Sequence, residues 1–136
     1  MTTAPRPLRL RRAYEPPEPS DGTRILVDRL WPRGLSRVEA AIDAWIREVA
    51  PSDALRRWYG HDPGRWDEFR RRYRAELAAR GEAALRELEE LCRRGPVTLL
   101  FAAADAARSN AVVLKEVLEE RLEGEAGAGI LDPATP

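Results

Sequence analysis

The sequence has very few of the residues that most often carry catalysis or hold metals: one cysteine, one histidine and one methionine among 136 residues. Cys92 has no partner for an internal disulfide, and no Cys/His cluster has the spacing of a zinc site. No Walker glycine loop, GxGxxG motif, calcium-loop spacing or serine nucleophile elbow is present. We therefore expect no cofactor and no metal, and we place the chain in a reducing cytoplasm with Cys92 as a small buried thiol.

An excess charge of either sign is also lacking, because the 23 basic residues equal the 23 acidic ones. No overall field therefore draws the chain to nucleic acid or to an anionic membrane. The longest mostly apolar stretch, residues 97–104, is far too short to cross a bilayer, and no signal peptide opens the chain. We expect no membrane partner, treat nucleic acid as possible but not favoured, and leave the oligomeric state open.

The length and composition predict one soluble domain. Residues 1–7 and 123–136 consist mostly of small residues and are rich in proline and glycine, so we expect loose tails there and a single domain over residues 8–122.

Alternation of apolar and polar residues, and continuous apolar runs, predict the strands. These are an edge strand at 8–14, buried strands at 24–28 and 97–104, and a further strand in "DAWIREVA", residues 43–50. Capping residues and apolar stripes predict helices at 53–59, from Asp62 to Gly81, around Leu85 to Leu91, and from Ser109 or Asn110 onward.

This order of elements predicts an α/β fold, a single three-layer domain with a small, mostly parallel sheet and helices on both faces. The strands at 24–28 and 97–104 should run parallel and end at one edge of the sheet. Ligands in such folds bind outside the carboxyl ends of the strands. The sequence therefore predicts a site at this edge.

Polar residues follow both strands where each one ends. The candidate binding residues are Asp28, Arg29, Trp31, Arg33, Asp105 and Asn110. An arginine can hold a carboxylate or phosphate through two parallel hydrogen bonds, and a tryptophan can stack on a flat ligand. His61 is the candidate catalytic residue, because an imidazole can transfer protons near neutral pH.

Each of these residues also has a purely structural interpretation. Asp28 and Arg29 can pair with other side chains and hold the loop, and Trp31 can pack as part of the core. Asp105 and Asn110 are common turn and capping residues. The arginine-rich run at 70–74 shares its helix with acidic residues, which favours a solvated face laced with ion pairs over a phosphate-binding surface.

Four sequence blocks resemble the YeaO-like branch of the domain of unknown function 488 family. They are "YEPPEPSDGTRILVDRLWPRGLS", "APSDALRRWYGHDPGRWDEFRRRY", "GPVTLLFAAAD" and "NAVVLKEVL". The resemblance spans roughly residues 10–120 and implies a small cytoplasmic α/β protein with no established reaction. Its recurring positions fall on the candidate residues above, on the segment from Pro32 to Gly34 and on Asp62 and Pro63. Family members commonly have a histidine before the asparagine, where this chain has Ser109.

The leading hypothesis from the sequence is a pocket for a small anionic ligand that carries phosphate or carboxylate. If the protein is an enzyme, hydrolysis or group transfer with His61 as the proton carrier is the expected class. The alternative is a non-catalytic module that binds nucleic acid or protein through a Trp/Arg surface. A third reading makes all of these residues structural.

Overall fold

The computed structural model describes residues 8–131, with side chains through residue 124. Its sheet has four strands in the order β1-β4-β2-β3, and every neighbouring pair is parallel. The strands are β1 (Leu8–Arg12), β2 (Thr23–Leu26), β3 (Ala44–Trp45) and β4 (Val97–Phe101). Because β1 and β2 both run parallel to β4, which lies between them, the carboxyl ends of these three strands lie at one edge of the sheet.

Over residues 8–131, five α-helices and four short 3-10 helices connect and cover the strands. The α-helices are α1 (Arg37–Ala40), α2 (Asp53–Tyr59), α3 (Trp66–Arg80), α4 (Glu82–Arg94) and α5 (Asn110–Leu131). The 3-10 helices are Pro19–Asp21, Arg47–Val49, Pro63–Arg65 and Ala106–Arg108. Within the described part of the chain, every helix is too short or too polar to cross a membrane.

The larger part of the core lies between one face of the sheet and the helices α2 to α5. Ile25 and Leu99 project from the sheet into this layer, where they meet the apolar stripes of the helices, including Tyr73, Leu88 and Leu114. Each of these five residues is fully buried. Burial of such stripes is the main favourable contribution to folding.

The opposite face of the sheet is covered by the segment that includes α1. Leu26 and Leu100 pack there against Trp31, Trp45 and the neighbouring Leu35. The sheet is thus enclosed on both sides, and the predicted α/β class is confirmed.

A buried ion-pair network fills the rest of this second face. Asp21 is 1% exposed and accepts hydrogen bonds from Arg24 at 2.6 Å and from Arg11 at 2.9 Å. The remaining donors of Arg24 reach the carbonyl oxygens of Ala40, Ala41 and Glu15. The network ties β1 and β2 to the connection that precedes β3.

The predicted helix boundaries agree closely with the structure. The Ser52 hydroxyl accepts a hydrogen bond from the Leu55 N–H at the start of α2, and Gly60 ends that helix with φ +54°. The Asp62 carboxylate caps a 3-10 turn that leads directly into α3. These matches arise because capping depends on residues within one turn of each other.

The predicted strand at 43–50 is wrong beyond Trp45. After Ile46 the chain turns into a 3-10 helix, in which Ile46 and Val49 are buried while Arg47 and Glu48 are exposed. Buried positions three apart are typical of a helical turn, and the loose alternation in the sequence concealed this spacing.

The two ends of the domain differ in how far the structure describes them. Helix α5 continues to Leu131, beyond residue 122 where the sequence analysis placed the end of the domain. The predicted tail at 1–7 and residues 132–136 lie outside the described residues.

Candidate ligand site at the carboxyl edge of the sheet

A cavity of about 960 Å³ lies at the edge where β1, β2 and β4 end. All seven candidate residues from the sequence line this cavity. Asp28 and Asp105 therefore share one hollow, as the parallel arrangement of their strands predicted. A volume of this size is in the range of small-molecule sites.

Asp28 lies where β2 meets β4. Its Oδ2 accepts a hydrogen bond from the Ala102 N–H at 2.8 Å, and its backbone carbonyl accepts one from the Trp45 indole at 2.7 Å. Burial raises the pKa of Asp28, while the Ala102 N–H, the Asn110 amide and the charge of His61 act in the opposite direction. The Asp28 side chain is half-buried and lines the cavity, and the Ala102 N–H holds its carboxylate in place.

Asn110 begins helix α5 and joins it to the end of β2. Its side-chain amide donates to the Val27 carbonyl at 3.2 Å. The preceding Ser109 is buried, and its hydroxyl donates to the Ala106 carbonyl at 3.2 Å. Asn110 thus has a structural function, in addition to its place in the wall of the cavity.

The two predicted binding arginines differ in what their side chains do. The Arg29 guanidinium donates to the Pro51 carbonyl at 3.2 Å and lies 3.8 Å from the Asp53 carboxylate. The Arg33 guanidinium is exposed at the rim and has no hydrogen-bond or ion-pair partner among the described residues. Arg33 therefore has its full set of donors available to a ligand.

The main chain at Arg33 is held by a hydrogen bond, whereas its side chain has no partner among the described residues. The Tyr14 hydroxyl donates to the Arg33 carbonyl at 3.0 Å, and the Arg12 guanidinium lies 5.1 Å from the centre of the Tyr14 ring. The following Gly34 has φ +79°, a left-handed conformation that favours glycine. The loop thus presents Arg33 from a fixed main chain.

Trp31 forms part of the cavity wall and part of the core. Its indole nitrogen donates to the Leu35 carbonyl at 2.6 Å, and its ring meets Trp45 edge to face with 5.5 Å between centroids. Arg37 lies over the same ring at 5.8 Å. The Trp31–Pro32 peptide bond is trans.

His61 reaches the cavity from the turn after α2. It has φ +57°, an unusual conformation for a residue with a side chain, and directly follows the left-handed Gly60. Its ring lies 6.0 Å from the Tyr59 ring. The Asp62 carboxylate accepts from the Gly64 N–H, so this neighbour serves as a cap. The structure places His61 with the other candidates, and its role in proton transfer stays a prediction.

Asp105 is exposed on the far side of the cavity, at the start of the 3-10 helix before α5. Its carboxylate accepts a hydrogen bond from Arg108 at 3.0 Å. The Tyr59 hydroxyl donates to the Arg108 carbonyl at 2.9 Å, which holds α2 against this turn. Burial and the charge of Asp105 raise the pKa of Tyr59, so its hydroxyl stays protonated.

Sequence reasoning missed several residues of the cavity. Arg12, at the carboxyl end of β1, donates to the carbonyls of Ala102 and Ala103 at 3.0 Å each. The rule that located Asp28 would also have located Arg12, had the direction of β1 been assigned. Tyr14, Tyr59, Arg56 and Arg108 are also in the lining and carry no comparable signal in the sequence.

The arginines of α3 lie outside the cavity and are paired with carboxylates. Arg71 and Arg72 both donate to Glu68 on the same helix. Arg70 and Arg74 form ion pairs with Glu116 on α5, and Arg74 also reaches Glu120. The predicted face laced with ion pairs is confirmed.

The fold and this cavity define a class of protein: a small parallel α/β domain with a polar hollow at the carboxyl edge of its sheet. A family model described as "Inactive DUF488-N3 subclade" matches residues 7–135. The chain belongs to this family, and the resemblance to its YeaO-like branch is confirmed.

Two relatives illustrate how far the similarity extends. "Uncharacterized protein Rv3073c" of Mycobacterium tuberculosis is 46% identical over 114 residues, which cover 84% of this chain and 95% of the relative. "Uncharacterized protein YeaO" of Escherichia coli K12 is 40% identical over 111 residues, which cover 82% of this chain and 96% of the relative. A search of solved structures found no significant match.

Proposed function

We propose that the cavity binds a small organic anion that carries a phosphate or carboxylate group, and that the protein holds this ligand without transforming it. The observation that carries the proposal is Arg33, a guanidinium without a partner among the described residues, at the rim of a cavity of about 960 Å³. Free guanidinium donors bind phosphate and carboxylate in a two-pronged geometry.

The charge of the cavity wall supports an anionic ligand. Five arginines and two aspartates line it: Arg12, Arg29, Arg33, Arg56, Arg108, Asp28 and Asp105. Four of the arginines already donate to carbonyl or carboxylate oxygens of the protein, so they contribute a positive field more than free donors. Arg33 then supplies the direct contact.

Binding without reaction is favoured over catalysis for two reasons. The family description contains the word "inactive", and Ser109 stands where the YeaO-like resemblance implies a histidine. His61 is the one histidine of the chain, and no described side chain donates to it or accepts from it. The alternative, hydrolysis or transfer of a phosphoryl group through His61, predicts release of inorganic phosphate from simple phosphate esters.

A nucleic-acid surface is less well supported than a small-molecule site. Such a surface needs a continuous set of free basic side chains. The arginines of α3 are neutralised by Glu68, Glu116 and Glu120. The proposal places binding in the reducing cytoplasm, in keeping with the buried free thiol of Cys92.

The test is a titration of the protein with inorganic phosphate at low salt, followed by thermal denaturation and calorimetry. A bound anion raises the melting temperature by mass action. Arg33→Ala should require at least about tenfold more phosphate for the same shift, because it loses a charge-assisted contact of about 1.5 to 3 kcal/mol. Without phosphate its melting temperature should match the wild type, since Arg33 has no partner among the residues that the structure describes.

Arg57→Ala is the matched control, because Arg57 is exposed on α2 and does not line the cavity. It should respond to phosphate as the wild type does. An equal response from all three proteins would contradict the proposal, and so would the absence of any phosphate-dependent shift. Steady release of phosphate from an ester, abolished in His61→Ala, would favour the enzymatic alternative.

A further inference from the structure

The cavity is electrically polarised, with a half-buried carboxylate in its wall and, at its rim, an arginine that has no partner among the described residues. Asp28 is half-buried where β2 and β4 end, and Arg33 is exposed on the loop that follows. One oxygen of Asp28 accepts from the Ala102 N–H. No arginine or lysine nitrogen of the described residues lies within 4.0 Å of this carboxylate.

Asp28 differs in this respect from the two most buried carboxylates of the described chain. Asp21 pairs with Arg24 at 2.6 Å, and Glu89 pairs with Arg121 at 2.6 Å. Withdrawing a carboxylate from water is unfavourable unless a cation or several donors compensate. Asp28 has the neighbouring Asn110 amide and the Ala102 N–H, and no arginine or lysine among the described residues pairs with it.

The amino acid next in the chain does not supply that cation. The Arg29 guanidinium turns away from Asp28 toward the Pro51 carbonyl and the Asp53 carboxylate. His61 also lines the cavity, but no hydrogen bond or ion pair joins it to Asp28. A ligand group can therefore take the position next to Asp28 that no described arginine occupies.

We infer that the ligand is a zwitterion, with a protonated amino group against Asp28 and its anionic group against Arg33. This inference rests on the proposed function, since it assigns the second end of the same ligand. The polarised cavity rejects a dianion next to Asp28, because the carboxylate would repel it. The rings of Trp31 and Tyr59 also line this cavity, and aromatic faces accept both a carbon chain and an ammonium group.

The test compares two series of probes of graded length, from ethyl to hexyl. One series is the alkyl phosphates, and the other is the ω-aminoalkyl phosphates of the same chain lengths. In the wild type, the amino group should improve affinity about tenfold or more at the best-fitting length, as a charge-assisted contact does. No improvement at any length, with the alkyl phosphates still bound, would overturn the zwitterion and leave anion binding intact.

Asp28→Asn identifies the residue responsible. The amide oxygen can still accept from the Ala102 N–H, so the strand ends remain joined, while the charge is removed. This variant should bind both series equally, whereas Arg33→Ala should weaken both by a similar factor and keep the preference for the amine. A preference that survives in Asp28→Asn would refute the inference. Failure of every phosphate probe on the wild type would refute the proposed function itself.

Discussion

Replacing Asp21 by asparagine tests the buried network on the second face of the sheet. Burial alone would raise the pKa of Asp21, but hydrogen bonds from the Glu18 N–H and from Arg11 and Arg24 outweigh it and lower the pKa to about 2. The ordinary value is 3.8. Lowering the pKa from 3.8 to about 2 corresponds to about 2.5 kcal/mol of stability near neutral pH.

The loss in the variant has two sources. Asparagine keeps an acceptor but removes the charge opposite Arg24, which is itself only 3% exposed. Leaving a buried charge without its partner typically costs about 3 to 5 kcal/mol, and the carbonyl contacts of Arg24 place this site toward the lower end. We therefore expect Asp21→Asn to lose about 2 to 3 kcal/mol of unfolding free energy near neutral pH.

The pH dependence has a definite sign. Because the folded state lowers the pKa of Asp21, its contribution is complete above the ordinary value and is lost as the pH falls toward about 2. The difference between wild type and variant should shrink by about half of this 2.5 kcal/mol by about pH 3. Urea unfolding at several pH values measures this difference.

Glu87→Gln is the control, because Glu87 is exposed on α4 and has no partner among the described residues. It should change the unfolding free energy by less than about 0.5 kcal/mol at every pH. An Asp21→Asn loss as small as this, or one that stays constant down to pH 3, would refute the argument from paired burial.

Three further predictions concern the site and the core. His61→Gly should leave the unfolding free energy unchanged or raise it by up to about 1 kcal/mol, because glycine tolerates φ +57°. His61→Val should lower the unfolding free energy. Equal losses in both variants would show that the imidazole itself stabilises the fold. Tyr73→Phe should cost about 1 to 3 kcal/mol in chemical denaturation, because the buried hydroxyl donates to the Val49 carbonyl, and a smaller loss would mean that this carbonyl finds another donor. Burial and the charge of Glu89 raise the pKa of Cys92 to about 11. A thiol reagent near pH 8 should therefore label Cys92 only in denaturant. Rapid labelling of the folded protein would contradict this prediction.

Features that depend on residues close in sequence were predicted well. Ser52, Gly60 and Asp62 mark helix ends through contacts within one turn, and the apolar stripe through Phe69 and Tyr73 predicts α3. The segment 43–50 was predicted poorly, because a short alternation of apolar and polar residues fits both a strand and a 3-10 turn. Burial of Val49 and the hydrogen bond from the Tyr73 hydroxyl to its carbonyl favour the turn.

The location of the candidate site was also predictable, since parallel strands end at the same edge. Asp28 and Asp105 follow two strands whose continuous apolar character indicates burial on both faces, and this alone brings them together. Arg12 was missed because nothing in β1 itself specifies that it runs parallel to β4.

By itself, the sequence determined the helices, the buried strands, the fold class and the sheet edge that carries the polar residues, because these follow from local periodicity and from the rule for parallel strands. Only the tertiary structure decided that the Arg29 guanidinium binds the Pro51 carbonyl. It also decided that, within the part of the chain described, Arg33 has no partner and Asp28 has no guanidinium of the kind that pairs with Asp21. The physical reason is that hydrogen bonds and ion pairs extend only a few ångströms, and their partners here come from distant parts of the chain: the Ala102 N–H meets Asp28, and the carbonyls of Ala102 and Ala103 meet Arg12.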